Sequence, residues 1–169
     1  MGKAMKTEKG RRAIGAVKIT VIVVCLATVI ISATFFAVRS ILKAEFPMKY
    51  QDKISLYAET YGVPEDLLYG VIHTESGYDE KAKSHAGAIG LTQITPETFL
   101  WLQTKTGENL PEEALYDADT SVKYCAVFYG LLLKEFGGDE KTAIAAYHAG
   151  RGQVNAWLRD PDISPDGKT

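Results

Sequence analysis

An uncharged run of twenty residues, Ile19 to Val38, is the feature that most constrains what this chain can fold into. A helix that rises about 1.5 Å per residue would cover roughly 30 Å over this run, the thickness of a bilayer's hydrocarbon core. The preceding residues 1–18 carry six basic side chains and one acidic side chain, a net charge of +5. Because positively charged flanks stay on the cytoplasmic side, the pattern predicts a cytoplasmic basic tail over 1–18 and a transmembrane helix over 19–38.

A cleaved signal peptide is the alternative for this segment. Such a peptide has an apolar region of about 7–15 residues that ends at small residues, whereas this run is longer and carries Phe35 and Phe36 near its end. A lipid-anchored form is disfavoured as well, because Val24 stands before Cys25 where a small residue is needed. We therefore predict a single-pass protein of the cell membrane, with a cytoplasmic N-terminus and an extracytoplasmic domain.

The part of the chain that follows the apolar run is acidic. Residues 39–169 carry 13 basic and 20 acidic side chains, which argues against nucleic acid as a partner because such binding needs a basic face. Apolar residues make up 46% of the chain, enough for a packed core. Cys25 lies in the apolar run and Cys125 far outside it, so they cannot pair within one chain, and Cys125 is expected to be a buried apolar residue.

Helical signals dominate the rest of the sequence. Residues 39–48 are expected to connect the membrane helix to a domain over 49–169, in which no stretch shows the period-two alternation of a strand. Gly62, Pro64 and Asp139 have the positions of a helix stop, a first helical residue and a helix cap, and Asp119 or Thr120 is expected to cap the longest helix. The predicted helices cover approximately residues 54–61, 64–76, 96–102, 120–136 and 141–148, with a last turn around 154–157 and a polar loop over 77–90.

Glu75 is the first candidate for chemistry. Its helix should bury Leu68 and Val71, and the same stripe reaches Glu75 seven residues after Leu68. Burial and the partial negative charge of the helix C-terminus would both raise the pKa of this carboxyl group, which is how a general acid stays protonated near neutral pH. The alternative is a terminal glutamate turned into water, and periodicity alone leaves both open.

Two further segments could contribute to a site. The run from Ser84 to Gln93 contains glycines that allow a tight backbone near a ligand, and the Gln93 amide can donate and accept hydrogen bonds to a sugar. The run Ala146–Gly150 ends a helix with Tyr147 and His148. Tyr147 could place its hydroxyl on an active-site group, or it could be a core residue.

No metal and no other cofactor is expected. His73, His85 and His148 do not form a zinc signature, since the chain has neither His-Glu-x-x-His nor the Pro-Cys-x-x-Cys of zinc deaminases. A Gly-x-Ser-x-Gly elbow is absent from the sequence, and Cys125 belongs to an apolar helical stripe, so a serine or cysteine nucleophile has no support. The histidines are interpreted as partly exposed polar residues.

Three motifs, in this order and spacing, resemble the lytic transglycosylase (SLT) domain of the goose-type lysozyme superfamily over about Ile54 to Trp157. The family pattern begins with Glu-Ser-Gly, here residues 75–77. It continues with a Ser and Gly-Ala-x-Gly-Leu-Met-Gln, here Ser84 and residues 87–93, and closes with Ala-Tyr-Asn-Ala-Gly, here residues 146–150. Each motif alone is common, whereas three collinear motifs over a hundred residues are specific.

The resemblance implies a lysozyme-like fold, mainly α with a small irregular β element, and a groove between two lobes. Enzymes of this kind cut the β-1,4 bond between N-acetylmuramic acid and N-acetylglucosamine in peptidoglycan without water, leaving a 1,6-anhydromuramoyl end. Glu75 would be the catalytic residue, first as acid and then as base. Tyr147 would hydrogen-bond Glu75, and Ser84 and Gln93 would contact the glycan or order the loop.

The chain departs from the family pattern at several positions. Thr92 replaces the family's Met and His148 replaces its Asn, so both keep a place in the candidate substrate-binding set while their contacts change. Ser121 and Cys125 stand where the family has Asn and Gly, which is typical of a divergent subgroup. The family also continues into another helix after the position of Trp157, so either a C-terminally truncated fragment or a shortened domain is expected.

The expected partners are peptidoglycan glycan strands and, through the N-terminal helix, the membrane. Membership of a secretion or cell-wall machine is compatible with the sequence. Two alternative functions stay open. A lysozyme would use water on the same groove with a second carboxylate about 6.5–9.5 Å from Glu75. A non-catalytic module would bind the wall without cutting it, although an idle buried acid would be destabilising.

Overall fold

A computed structural model describes the backbone of residues 2–45 and 48–168, and the side chains of residues 18, 21–44 and 48–168. The chain forms two compact units, Met1–Pro47 and Met48–Thr169. The basic side chains of the predicted cytoplasmic tail at positions 3–12 lie outside the described side chains.

The first unit is one long helix, α1 (Gly2–Glu45). It contains an apolar stretch, Val21–Ala44, whose 24 residues are long enough to cross a membrane by length and composition. The apolar side chains of this stretch are exposed, with 68% of Ile31 accessible. The helix runs on through residues 39–45 of the expected connector, because nothing between Arg39 and Glu45 stops it, and residues 46–47 lie outside the described residues.

The second unit is built from helices, which confirms the predicted mainly α class. Its elements in chain order are α2 (Gln51–Tyr61), α3 (Glu65–Ser76), α4 (Pro96–Thr106), a 3-10 helix (Glu112–Tyr116), α5 (Ala118–Glu135), α6 (Glu140–Ala149) and α7 (Arg151–Arg159). Gly62 and Gly77 end α2 and α3 in the left-handed conformation that glycine adopts without strain. The 3-10 helix was not predicted, and the predicted last turn is a nine-residue helix.

The start of α5 differs from the prediction. Asp117 is the cap, because its carboxylate accepts a 2.9 Å hydrogen bond from the Thr120 backbone N–H. Asp119, one of the two residues predicted as the cap, instead pairs with α2. It contacts the Lys53 ammonium at 2.8 Å and accepts a 2.8 Å hydrogen bond from the Tyr57 hydroxyl.

Helix α5 occupies the centre of the core and contacts α2, α3, α4 and α6. Tyr124, Cys125 and Tyr129 are fully buried within it, as predicted for Cys125. Burial of large apolar side chains contributes about 1.5–3 kcal/mol each to folding, so these side chains stabilise the packing of α5 against the helices that it contacts. The helix that carries Glu75 packs on this core through Leu68 and Ile72, both fully buried.

The predicted loop over 77–90 forms an irregular hairpin. Within the described residues, its β structure consists of the isolated bridges Lys83–Ile89 and Ile89–Ile94, in line with the small irregular β element that the resemblance implied. Gly90 has φ +75°, and a Cβ there would lie 2.1 Å from the Leu115 carbonyl oxygen. The glycine therefore lets the hairpin pack directly against the 3-10 helix, which is a packing role and not a ligand contact.

Candidate active site

Glu75 lies in the last turn of α3, on the face that the periodicity predicted. Its side chain is 19% exposed, while Val71 one turn earlier is buried. Burial raises the pKa of Glu75, and the charge of His148 acts in the opposite direction. A carboxyl group that is desolvated yet reachable from solvent can hold a proton and pass it to a substrate.

His148 contacts Glu75 directly. Its Nδ1 lies 3.0 Å from Oε1 of Glu75, and 44% of the imidazole side chain is exposed. The contact joins the C-terminal turn of α6 to the C-terminal turn of α3, 73 positions apart in the chain. His148 was predicted to bind substrate, and the structure places it on the candidate acid itself.

The loop of residues 91–93, which lies between the bridge partners Ile89 and Ile94, is fixed to three helices. The Ser76 hydroxyl of α3 donates to the Leu91 carbonyl at 2.8 Å. The Tyr147 hydroxyl of α6 donates to the Thr92 carbonyl at 2.7 Å, and the Thr92 hydroxyl lies 3.0 Å from the Ser121 hydroxyl of α5. These bonds fix the loop to α5, to α6 and to α3, the helix that carries Glu75.

The expected hydrogen bond from Tyr147 to Glu75 is therefore wrong in this structure. A tyrosine hydroxyl can donate one hydrogen bond, and the Thr92 carbonyl accepts it. The Tyr147 ring stacks on Tyr129 with centroids 4.5 Å apart and planes 9° apart, which sets the direction of the hydroxyl. Tyr147 positions the loop, and Glu75 has His148 as its partner.

Thr92 does not have the position expected of a sugar contact. It is fully buried, and its hydroxyl is directed to Ser121. The two departures from the family pattern, Thr92 and Ser121, are thus one compensated pair, since each small hydroxyl satisfies the other. Sequence reasoning missed this pair, and the joint appearance of two small polar residues at these positions was the available signal.

Ser84 and Gln93 order the hairpin. The Ser84 hydroxyl accepts a 3.0 Å hydrogen bond from the Ala88 backbone N–H. The Gln93 amide donates to the carbonyls of Ala82 and Gly90 at 3.3 and 3.0 Å. Their side chains therefore order the loop, which is one of the two roles expected for them. Contact with the glycan, the other expected role, stays a prediction.

Other titratable side chains of the domain differ from Glu75 in their exposure, partners or protonation. Asp79 is exposed, and Glu80 accepts a 2.7 Å hydrogen bond from the Tyr50 hydroxyl. Burial raises the pKa of Cys125 to about 12, which keeps it a thiol. Among the residues that the structure describes, no three His, Cys, Asp or Glu side chains gather where a metal ion could bind. Proton transfer by Glu75 is the chemistry that the arrangement offers.

Comparison with known proteins decides the family. The Transglycosylase SLT domain family matches residues 52–167, which includes every motif described above. The chain belongs to the Transglycosylase SLT domain family. Its fold is accordingly that of an SLT lysozyme-like domain, as the resemblance predicted.

Relatives of this SLT domain are lytic transglycosylases by name. The chain is 30% identical over 120 residues to the soluble lytic murein transglycosylase of Escherichia coli (strain K12), covering 69% of this chain and 18% of that protein. It is 30% identical over 127 residues to membrane-bound lytic murein transglycosylase C of Haemophilus influenzae, covering 69% of this chain and 36% of that protein. The chain thus spans under two-fifths of the length of either relative.

A solved structure shows the same fold. Lytic transglycosylase Slt of Pseudomonas aeruginosa, studied as an inactive glutamate-to-glutamine mutant, superimposes with a TM-score of 0.67 at 29% identity. The match covers 70% of this chain and 20% of that chain. The SLT domain is therefore one part of that larger relative.

Proposed function

We propose that this SLT domain is a peptidoglycan lytic transglycosylase that cleaves the β-1,4 bond between N-acetylmuramic acid and N-acetylglucosamine and leaves a 1,6-anhydromuramoyl end. The observation that carries the proposal is Glu75, a desolvated carboxyl group at the end of α3 with a raised pKa. The names of the two relatives support the same activity.

Glu75 would act twice in one turnover. As the acid, it donates its proton to the glycosidic oxygen while the bond from that oxygen to C1 breaks. As the carboxylate, it then takes the proton of the sugar's own 6-hydroxyl while O6 forms a bond to C1. The proton count closes with Glu75 protonated again and no water consumed, and an intramolecular nucleophile explains why a second carboxylate is unnecessary.

His148 would assist both states of Glu75. Its Nδ1 lies 3.0 Å from Oε1, so a protonated imidazole stabilises the carboxylate that exists after the first proton transfer. The same charge lowers the pKa of Glu75 and so limits the effect of burial. The acid can therefore release its proton as well as hold it, which both half-reactions require.

The location that we propose is the cell membrane, with the N-terminus in the cytoplasm and the SLT domain outside. The apolar stretch Val21–Ala44 is long enough for one span, and the net charge of +5 over residues 1–18 favours a cytoplasmic N-terminus. The Haemophilus influenzae relative is membrane-bound by name. An extracytoplasmic domain would meet its polymer where the wall lies.

Replacement of Glu75 tests the proposal. We expect Glu75→Gln in the full 169-residue chain to lose at least about 100-fold of its rate of peptidoglycan solubilisation, because general acid–base catalysis contributes on the order of 10²–10⁴-fold. The inactive Pseudomonas aeruginosa protein also has glutamine in place of a glutamate. Glu80→Gln is the matched control, since Glu80 lies five residues away and binds Tyr50 instead.

The comparison of the two variants decides the role of Glu75. Equal thermal unfolding temperatures with loss confined to Glu75→Gln would support a catalytic carboxyl group. Equal rates for Glu75→Gln and wild type would contradict the proposal.

A further inference from the structure

Tyr129 of α5 carries a buried hydroxyl group that none of the roles described above uses. The residue is fully buried, and its hydroxyl makes no hydrogen bond to any residue that the structure describes. Buried polar groups in folded proteins nearly always have a partner, and an unpartnered donor is destabilising. A tyrosine at a position where phenylalanine would fill the same space points to an acceptor in another state of the molecule.

Tyr129 lies next to the residues that surround the candidate acid. It lines a cavity of 350 Å³ between α3 and α6 together with Val71, Thr74 and His148. Thr74 precedes Glu75 in the chain, and Val71 lies one helical turn before Glu75 on the same face. His148 contacts the carboxyl group at 3.0 Å. The unpaired hydroxyl therefore belongs to the surroundings of Glu75.

The Tyr129 ring is fixed, and its hydroxyl keeps its proton. The ring stacks on Tyr147, with centroids 4.5 Å apart and planes 9° apart. Burial raises the pKa of Tyr129, and interactions with Cys125 and Glu75 raise it further. The phenol is therefore a donor throughout the acidic and neutral range, and the influence of Glu75 means that the two side chains lie within electrostatic reach of each other.

The carboxyl group of Glu75 can accept a further hydrogen bond. His148 contacts its Oε1, and the Tyr147 hydroxyl, which the family resemblance assigned to Glu75, donates to the Thr92 carbonyl instead. A carboxylate accepts several hydrogen bonds through its two oxygens. Because Glu75 is desolvated, its carboxylate form needs donors from the protein in place of water. Oε2 is the atom left for such a donor.

We propose that Tyr129 is a positioning residue that donates a hydrogen bond to Oε2 of Glu75 when Glu75 is a carboxylate. The inference rests on the proposed function, in which that carboxylate exists between the two proton transfers. The structure has the hydroxyl unpaired, which is the arrangement that we assign to protonated Glu75. After Glu75 gives up its proton, a rotation of its side chain brings Oε2 to the phenol. Tyr129 and His148 then hold one carboxylate oxygen each while Glu75 takes the proton of the 6-hydroxyl.

Other titratable groups around Tyr129 leave its proton to the candidate acid. Cys125 is fully buried with its pKa raised to about 12, so it is a neutral thiol. Tyr147 directs its own proton to a carbonyl. Asp66 and Glu140 line the same cavity from the first turns of α3 and α6, and neither contributes to the raised pKa of Tyr129.

The first test measures the coupling between Tyr129 and Glu75 without catalysis. Thermal unfolding of the full chain in detergent is compared with that of Tyr129→Phe from about pH 4 to about pH 8. At the acid end, we expect Tyr129→Phe to unfold at or above the wild-type temperature, because it lacks an unpaired buried hydroxyl. Where Glu75 is ionised, wild type should unfold about 3–6 °C higher, because a hydrogen bond to the carboxylate stabilises the ionised form and is lost as the pH falls through its pKa.

The same comparison in the Glu75→Gln background is the control. Glutamine does not ionise, so Tyr129→Phe should there have the same effect at every pH. A wild-type advantage that does not change with pH, or one that changes equally in the Glu75→Gln background, would overturn the inference.

The second test measures the reaction. We expect Tyr129→Phe to lower kcat for the release of soluble muropeptides about tenfold and to change KM less than about twofold, since Tyr129 acts on Glu75 and not on the polymer. The high-pH decline of kcat/KM should move to higher pH, because loss of a donor to the carboxylate raises the pKa of Glu75. Tyr69→Phe, which removes another buried hydroxyl without a described partner, should leave all three quantities unchanged.

The outcomes separate the inference from the proposed function. A Tyr129→Phe variant with the wild-type kcat, or with a raised KM alone, would overturn the inference. A wild-type chain that releases no muropeptides would overturn the proposed function, whereas the absence of pH-dependent coupling in the unfolding experiment would overturn the positioning role of Tyr129 alone.

Discussion

Glu75 is subject to two opposing influences at one carboxyl group. Burial against the core raises its pKa, while the imidazole 3.0 Å away lowers it. An acid catalyst needs the first influence to keep its proton and the second to release it. The fold supplies both influences on Glu75: burial on the packed face of α3, and His148 from the end of α6.

Removal of the imidazole should therefore change the pH dependence. We expect His148→Asn to shift the high-pH decline of kcat/KM to higher pH. The reason is that the active acid is protonated Glu75, and the substitution removes the imidazole interaction that lowers its pKa. The rate at the optimum should change by less than about tenfold, because the pair is partly exposed to solvent. A pH–rate profile of peptidoglycan solubilisation measures both quantities.

His85→Asn is the control for this profile. His85 is exposed on the hairpin, so its replacement should leave the decline where it is in wild type. A decline in His148→Asn that is unmoved, or that shifts to lower pH, would show that His148 does not act on the Glu75 carboxyl group.

Individual residues were predictable only where one helix decides their surroundings. The apolar stripe of α3 made Glu75 a candidate for burial, because the helical period determines which face packs, but it left open a terminal glutamate turned into water. The hydroxyl of Tyr147 was not predictable, since its acceptor is a carbonyl 55 positions earlier in a loop. Contacts between such distant segments depend on the complete fold.

At the scale of elements, the hairpin and the loop after it hold the site together. Ser76, Ser121 and Tyr147 each come from a different helix, and each makes a hydrogen bond to the loop at Leu91 or Thr92. The 3-10 helix supports the hairpin from behind through Gly90. The geometry around Glu75 therefore depends on how closely these elements approach.

Gly90→Ala tests this close approach. A new Cβ would lie 2.1 Å from the Leu115 carbonyl oxygen at a backbone φ of +75°, so we expect a loss of more than about 2 kcal/mol of folding free energy from overpacking and backbone strain. Gly87→Ala is the matched control. Its φ is +84° with no atom within 4 Å of the added Cβ, so it should lose only about 1 kcal/mol.

Denaturant unfolding of the full chain in detergent measures the difference. Equal losses in the two alanine variants would mean that the hairpin does not pack on the 3-10 helix as described.

Elements were more predictable than the contacts between them. Caps, glycine stops and apolar stripes act within a few residues, which is why α2, α3 and α6 begin and end close to the predicted positions. The cap of α5 was misassigned because Asp117 and Asp119 are chemically equivalent in the sequence. Only the approach of Lys53 from α2 determines which of them is left for capping.

At the scale of the whole molecule, the chain combines one long apolar helix with one SLT domain. The stretch Val21–Ala44 has a mean hydropathy of 2.8 and is unburied, as expected of a helix that faces lipid. The family match begins at residue 52, after this stretch ends. Attachment to a membrane would confine the SLT domain to the wall nearest to it.

Fractionation tests the attachment. We expect the full chain to stay with membranes through a carbonate wash at high pH, and a chain that begins at Met48 to appear in the supernatant. Twenty or more apolar residues make a stable span, whereas electrostatic attachment would not survive the wash. Release of the full chain by carbonate would exclude an integral membrane helix.

In the proposed reaction, the sugar's own 6-hydroxyl, and not water, attacks C1 under control of Glu75. The most direct measurement is a digest of purified peptidoglycan by the full chain in ¹⁸O-water, with the products weighed by mass spectrometry. We expect muropeptides one water lighter than hydrolysed ones, free of ¹⁸O at the cleaved end, and absent from the Glu75→Gln digest. Reducing-end products that contain ¹⁸O would contradict it and identify a lysozyme.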